Sequence, residues 1–303
     1  MTYNVRYFAH ATRGIASTAM PFRRIARAIA RLDPTPDLVC LQEVETRSLR
    51  AMAINKPAHP TETQLDRLAA ELDLELRHAH KTERYTPHYF AAHAYRLSEK
   101  TNIYTTGLAV LTKASLRVDH HNAKTPHDIT HRRGVKQLKQ TRVCAHVAFE
   151  HESGARFDVF NTHLSLPNVF AKDFWTGEAR MGFGKNQLVE AKMVADFVER
   201  EKRSDAFVVV GDFNSLPGSP VDAYLREERG FVEAFSAARG LSVGESRAFP
   251  TAGFLNLRMH LDHVYASPNV RFLDFDATEP FGERAGAFHG LSDHVPLIAR
   301  CAC

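Results

Sequence analysis

The chain has 303 residues, 44% of them hydrophobic and 24% charged, which allows one large domain or two small ones and excludes an intrinsically disordered chain. Lys plus Arg number 39 against 35 for Asp plus Glu, so the net charge is only +4, which suits an anionic substrate and equally a solvated, slightly basic surface. No run approaches the ~18 apolar residues of a membrane span, and Met1 to Arg6 lacks the basic and apolar segments of a signal peptide, so a cytoplasmic protein without a transmembrane segment is expected.

The first predicted element is a helix, in which Phe22, Ile25, Ala26, Ile29 and Leu32 form one apolar stripe with Arg23, Arg24, Arg27 and Arg31 mostly off it. After a turn at Pro36 comes a strand, Leu38-Val39-Cys40-Leu41, apolar on both faces and therefore placed inside a covered sheet, with Cys40 a buried reduced thiol. Leu65, Leu68, Ala69 and Leu72 mark a second helix, and Leu108 to Leu111 a second strand. Val143, Ala145, Val147 and Phe149 alternate with Cys144, His146, Ala148 and Glu150, the pattern of a half-buried strand. Phe157 to Leu164 is a strand, Leu188, Ala191, Ala195 and Val198 a helix, and Phe207 to Val210 a strand apolar on both faces. Ser219-Pro220 reads as an N-cap with proline at the first helical position, opening a helix through Tyr224 and Leu225. Leu261 to Ala266 and Val295 to Ala299 are the last strands, and the terminal Cys301-x-Cys303 pair is by itself a weak metal signal. No repeat or linker interrupts residues 1–303, so one domain is expected. Residues 78–104, 117–140 and 167–186 lack clear periodicity and are expected as long loops around a site. The second is rich in His, Lys and Arg, which fits contact with a phosphate backbone or simply a solvated loop. The third, with Phe170 and Trp175, suits either a lid or a packed loop.

Polar groups collect where these strands end. Asp212-Phe213-Asn214 follows a buried strand and Gly211, so two polar side chains face one cleft unless the segment is a plain turn. Gln42-Glu43 ends another strand in the same way, and a lone carboxylate there is what a hard cation such as Mg²⁺ takes. Asn161 and His163 share one strand face, which suits holding phosphate oxygens. Asp262-His263 and Asp293-His294 each precede an apolar strand, and a carboxylate that orients a histidine fixes its tautomer and raises its basicity. No nucleophilic Ser or Cys motif, phosphate-cradling glycine loop or regular Cys/His zinc spacing is present.

Asn4 in Thr2-Tyr3-Asn4-Val5-Arg6, Gln42-Glu43, Asn161-Thr162-His163-Leu164, Gly211-Asp212-Phe213-Asn214, Leu261-Asp262 and Ser292-Asp293-His294 resemble, in order, the motifs of the endonuclease/exonuclease/phosphatase superfamily of deoxyribonuclease I-like phosphoesterases. The resemblance implies an α/β (α+β) four-layer sandwich: two packed mixed β-sheets flanked by helices, with the site at one edge between the sheets. It implies Glu43 as the principal ligand of Mg²⁺ or Mn²⁺, with Asn4 and Asp293 near the metal. It further implies that His163 and Asn214 hold the scissile phosphate. Asp212 positions the attacking water or assists the leaving group, and His294, oriented by Asp262, is the base or a phosphate contact. Arg6 stands where some members carry a second acid, and His263 where others carry an aromatic residue. The expected activity is hydrolysis of a phosphodiester or phosphomonoester by a monomer. One alternative is a DNA or RNA nuclease, which the basic stretch favours and the near-neutral charge does not. The other is a non-catalytic binding module on the same fold, which would have lost catalytic positions that this chain keeps.

Overall fold

The computed structural model describes residues 1–9, 19–46, 63–98, 101–131, 140–151, 153–167, 181–254, 257–277 and 286–302. Parallel strands β1 (Thr2–Asn4) and β2 (Leu38–Val44) lie side by side in a six-stranded sheet. β3 (Tyr85–Ser98), β4 (Thr101–Lys113), β14 (Arg271–Ala277) and β15 (Leu297–Ala302) complete it in the order β14-β15-β1-β2-β4-β3. The second sheet centres on the parallel pair β8 (Arg156–His163) and β9 (Phe207–Asp212). It runs β10 (Val232–Glu233), β13 (Asp262–Ala266), β9, β8, β7 (Val143–Glu150), β5 (Arg117–His121), with β6 (His127–Asp128) also on β7. β11 (Ala252–Phe254) and β12 (Leu257–Met259) form a small hairpin.

Three apolar layers set these sheets in register. Cys40, Leu108, Val110 and Leu297 of the first sheet meet Val147, Val159, Val208, Val210 and Val264 of the second. On the outer face of the first sheet, helices α1 (Ala19–Ala30) and α2 (Gln64–His78) pack Ile25, Ile29, Leu68 and Leu72 onto Tyr3, Val39, Leu41 and Leu111. On the outer face of the second, α3 (Lys185–Glu201) packs Ala191, Val194 and Val198 onto Phe160, Phe207 and Val209. The result is helix, sheet, sheet, helix, the expected four-layer sandwich.

Local chemistry explains the ends of the helices. Thr63 caps α2 through the Asp66 amide, with Asp66 returning the bond to the Thr63 amide. Ser219 caps α4 (Pro220–Ala223), and a π-helical turn over Tyr224–Glu228 continues it through the expected Tyr224 and Leu225. Glu75 of α2 clamps α1, accepting from Arg27 (Nε 3.0 Å, Nη2 3.1 Å) and from Arg23 Nε at 3.2 Å. Arg27, then Arg23, holds the Glu75 carboxyl below the usual carboxylate range, although burial opposes this. The ionised form therefore adds stability above the unfolded carboxyl's pKa, and loses it as pH falls through the lowered folded value. Glu75→Gln is expected to lower the urea midpoint at neutral pH, with the gap to wild type closing as both are acidified; a gap independent of pH would contradict the pairing.

Three expectations are corrected. Residues 85–98 are not loop but β3, paired along its length with β4. β7 is buried on both faces rather than half-buried, because α3 covers its second face. His146 there stacks on Phe160 at 4.3 Å, and its Nε2 meets Asp158 Oδ1 at 2.6 Å. The basic stretch supplies edge strand β5 and β6: Arg117 pairs with Asp119 and Glu150, His121 lies against His88, and His127 stacks on Phe197. Arg132, Arg133, Lys136 and Lys139 of that stretch, Phe170 and Trp175 of the third aperiodic stretch, and Cys303 lie outside the described residues. Among the described residues no helix is long and apolar enough to cross a membrane.

Candidate active site

Strand register assembles the site. β8 and β9 run in parallel with His163 opposite Asp212, and antiparallel β13 brings Asp262 opposite Asp212 from the other side. Three neighbouring strands thus present His163, Asp212 and Asp262 at one end of the second sheet. The parallel pair β1 and β2 ends with Asn4 opposite Gln42, one residue before Glu43, at the facing end of the first sheet. Asn4 Nδ2 crosses between the sheets to donate to Asp212 Oδ2 at 3.0 Å. His294 joins through the loop before β15, where an isolated bridge pairs it with Ala252.

Asp212 is the hub. Its Oδ2 lies 3.0 Å from Asn4 Nδ2, 3.4 Å from His163 Nε2 and 3.8 Å from His294 Nε2, while Oδ1 accepts from the Asn214 amide at 2.9 Å. His294 Nδ1 is 2.8 Å from Asp262 Oδ2, which also accepts from Thr251 Oγ1 at 2.7 Å. Glu43 lies within electrostatic reach of Asn4 and of Asp293, which is itself paired with Arg6 at 2.9 Å. Glu43 and Asn214 hold φ of 58° and 48°, left-handed conformations that non-glycine residues adopt mainly where surrounding structure imposes them, often at functional sites.

The model of the endonuclease/exonuclease/phosphatase family matches residues 1–294. The chain belongs to that family. Three solved structures share its fold. A family protein from Leptotrichia buccalis C-1013-b is 17% identical, with a TM-score of 0.66 over 100% of this chain and 98% of that one. The human Nocturnin catalytic domain with bound sulfate is 18% identical, with a TM-score of 0.61 over 99% and 91%. A mannosyl-6-phosphatase from Bacteroides thetaiotaomicron VPI-5482 is 15% identical, with a TM-score of 0.62 over 100% and 98%. A search of curated protein sequences finds no match.

The electrostatics of this endonuclease/exonuclease/phosphatase family site follow from burial of mixed charges. Burial raises the Asp212 carboxyl above the usual range, and the neighbouring Asp262 charge adds to it, against the lowering effect of His294. Burial opposes protonation of His294, but the Asp262 and Asp212 charges outweigh it and raise its pKa, so it is an imidazolium at neutral pH. His163 is lowered by burial, then by the Arg142 and His294 charges, and stays neutral. Glu43 is raised by burial and then by Asp293. That repulsion between two carboxylates, in an oxygen-rich corner with Asn4 beside it, is what a hard divalent cation relieves, so Glu43, Asp293 and Asn4 fit such a cation. Asp212, Asp262 and His294 also place ligand atoms within 4.8 Å of one another. There, however, both imidazole nitrogens already face carboxylates, and the imidazolium supplies the positive charge itself.

Among the polar residues named from the sequence, Asn4, His163, Asp212, Asn214, Asp262 and His294 reach this cleft through the contacts above, and Glu43 and Asp293 lie within electrostatic reach of one another beside it. Asn161 does not reach it: its Nδ2 donates to the Leu41 and Ala109 carbonyls (3.1 and 3.2 Å), and its Oδ1 accepts from Gln42 at 2.7 Å. It ties the two sheets together, because two residues back along β8 is ~6.6 Å deeper than His163. Asn214 donates one amide hydrogen to the Leu164 carbonyl at 2.9 Å and keeps the other. Thr251 and Arg142 were not read from the sequence, and Ser292 was named only within its motif. Thr251 anchors Asp262, and Ser292 Oγ donates to the Asn4 carbonyl at 2.7 Å. Arg142 precedes β7 at the end level with His163, and its charge reaches both His163 and Glu43. Its position just before the strand was the available signal.

Gly211 matters for a steric reason. At φ 143° a Cβ there would lie 1.9 Å from the Thr162 carbonyl oxygen on β8. Gly211→Ala must part β8 from β9 directly behind His163 and Asp212. It is expected to cost about 3 kcal/mol by urea denaturation; a change under ~0.5 kcal/mol would contradict the close approach.

Proposed function

We propose that the chain is a hydrolase that cleaves a phosphoester by in-line attack of water activated at Asp212, with Mg²⁺ or Mn²⁺ held by Glu43, Asp293 and Asn4. The observation that carries this reading is the convergence of Asn4, His163 and His294 on a single Asp212 oxygen, at 3.0, 3.4 and 3.8 Å.

Each side chain has one task. Asp212, its proton affinity raised by burial, takes the proton from the attacking water. The oxygen of that water bonds to phosphorus as the opposite P–O bond breaks, and the departing alkoxide is protonated from solvent. The His294 imidazolium, steadied by Asp262, and the neutral His163 donate to non-bridging phosphate oxygens, where charge builds up in the transition state. Asn214 offers its remaining amide hydrogen to the same phosphate, and Arg142 adds a positive charge nearby. Glu43, Asp293 and Asn4 would hold a divalent cation, which would supply Lewis-acid stabilisation of the charge that builds on the reacting phosphate.

The structural neighbours include a mannosyl-6-phosphatase and ANGEL2, a 2′,3′-cyclic phosphatase. These support phosphoester chemistry and leave the ester open between a monoester and a diester. A panel of plasmid DNA, single-stranded RNA, sphingomyelin, sugar phosphates and bis-p-nitrophenyl phosphate, each with Mg²⁺, Mn²⁺ or EDTA, tests the reading. Metal-dependent turnover of one class identifies the substrate branch. Failure to turn over any phosphoester, with the protein folded and metal present, leaves the non-catalytic binding module.

A further inference from the structure

Directly behind the catalytic end of β13 lies a second cluster of titratable side chains, which the mechanism does not use. Asp262 faces the active site, and the next residue, His263, points to the opposite side of the strand. There it meets His260, just ahead of the strand, and Glu233 of β10. The three are 0%, 1% and 5% exposed. The two imidazoles stack with centroids 4.8 Å apart.

Backbone carbonyls set both tautomers. His260 Nδ1 donates to the Ser246 carbonyl at 3.0 Å, and His263 Nε2 donates to the Ser215 carbonyl at 2.8 Å. Those bonds leave His260 Nε2 and His263 Nδ1 facing the cluster, and neither buried nitrogen has a partner within hydrogen-bond distance. One ligand atom from each of His260, His263 and Glu233 lies within 4.8 Å of the others, and His263 Nδ1 is 3.9 Å from Glu233 Oε1. The Glu233 carboxylate is itself held, accepting from the Phe235 and Ser236 amides and from Ser236 Oγ. Burial works against its ionisation, but His263 and Ser236 outweigh burial and hold it down to about 2; burial likewise opposes protonation of His263, but Glu233 raises its pKa, so a cation taken up here displaces the His263 Nδ1 proton. Burial, with His263 behind it, brings His260 down to about 4, so it is neutral.

We propose that Glu233, His260 and His263 form a second, structural metal site that takes a zinc-class divalent cation through two imidazole nitrogens and one carboxylate. Imidazoles with the far nitrogen fixed by a carbonyl are the orienting arrangement of zinc ligands, whereas Mg²⁺ prefers an all-oxygen set such as Glu43 and Asp293. Two ligands ~2.0 Å from a tetrahedral zinc are about 3.3 Å apart, so closing the 3.9 Å gap takes only a small side-chain shift. Arg226, Phe231, Glu233 and Ser236 line a surface hollow beside the cluster. The ion pins β13 to β10 and, through His263 and the Ser215 carbonyl, to the loop after Asn214. It thereby fixes Asp262 against Asp212 without touching substrate.

The test uses the full chain, stripped with chelator and kept in excess Mg²⁺ so that the oxygen site is filled. Zn²⁺ is expected to bind with one equivalent and to raise the wild-type thermal midpoint by roughly 5 °C, and Co²⁺ to give the visible spectrum of a low-symmetry nitrogen-ligated ion. His260→Asn and Glu233→Gln are expected to lose that equivalent, while Glu43→Gln keeps it. A wild-type protein with no Zn²⁺ uptake beyond what Mg²⁺ displaces, or with neither a thermal nor a spectroscopic response, overturns the site in favour of a plain buried His263–Glu233 pair. So does unchanged uptake in the two variants. The wild-type readings decide the matter if a variant fails to fold, and none of them depends on phosphoester turnover.

Discussion

Glu43→Gln is expected to lower phosphoester turnover by at least ~10³-fold, about 4 kcal/mol of transition-state stabilisation, while leaving the thermal midpoint within a few degrees of wild type. Glutamine keeps the volume of the side chain and removes only the charge. In the folded chain that charge is disfavoured by burial and by Asp293, so no folding contribution is lost with it. What disappears is the strongest ligand of the oxygen-rich corner. Raising Mg²⁺ or Mn²⁺ is expected to recover part of the lost rate, because Asp293 and Asn4 remain. Steady-state hydrolysis of the panel's best substrate across a metal titration reads both effects. A variant within tenfold of wild type at every metal concentration would contradict the assignment.

The Asp262–His294 pair carries the second large effect. His294→Ala is expected to lose ~10³-fold in kcat, and Asp262→Asn ~10²-fold. The ordering follows from the proposed roles, in which His294 contacts the phosphate, whereas Asp262 acts through it by fixing the ring at 2.8 Å and supplying the charge that keeps it protonated. The introduced asparagine can place its carbonyl oxygen where Asp262 Oδ2 accepts from Thr251 and His294, and its amide where the unpartnered Oδ1 lies, so the geometry survives and only the charge is lost. Because the residues act as one unit, the double variant is expected to be no slower than His294→Ala alone. Fully additive losses would show that Asp262 works independently of the histidine.

What could be read from the sequence, and what could not, follows from physical range. α1, α2 and α3 were legible because their apolar residues recur at helical spacing, and β2, β8, β9 and β13 because they are short and apolar. β3 was not: it is an edge strand, partly exposed, with Pro87 inside it, and an edge tolerates polar residues and proline where a central strand does not. Most of the candidate site residues could be named because they sit at strand ends next to apolar runs, and Asn4 only through the family resemblance. Their partners could not. Thr251 reaches Asp262 from a segment without periodicity, and Asn161 carries the right side chain on the right face but at the wrong depth. Period-2 alternation gives the face of a strand and says nothing about distance from its end.

The most direct measurement is hydrolysis of bis-p-nitrophenyl phosphate by wild-type protein stripped with EDTA and then titrated with Mg²⁺ or Mn²⁺. No turnover is expected in EDTA, with saturable recovery on adding either cation and no comparable recovery in Glu43→Gln at the same metal concentrations. Undiminished turnover in EDTA, or equal recovery in the variant, would contradict metal dependence through Glu43.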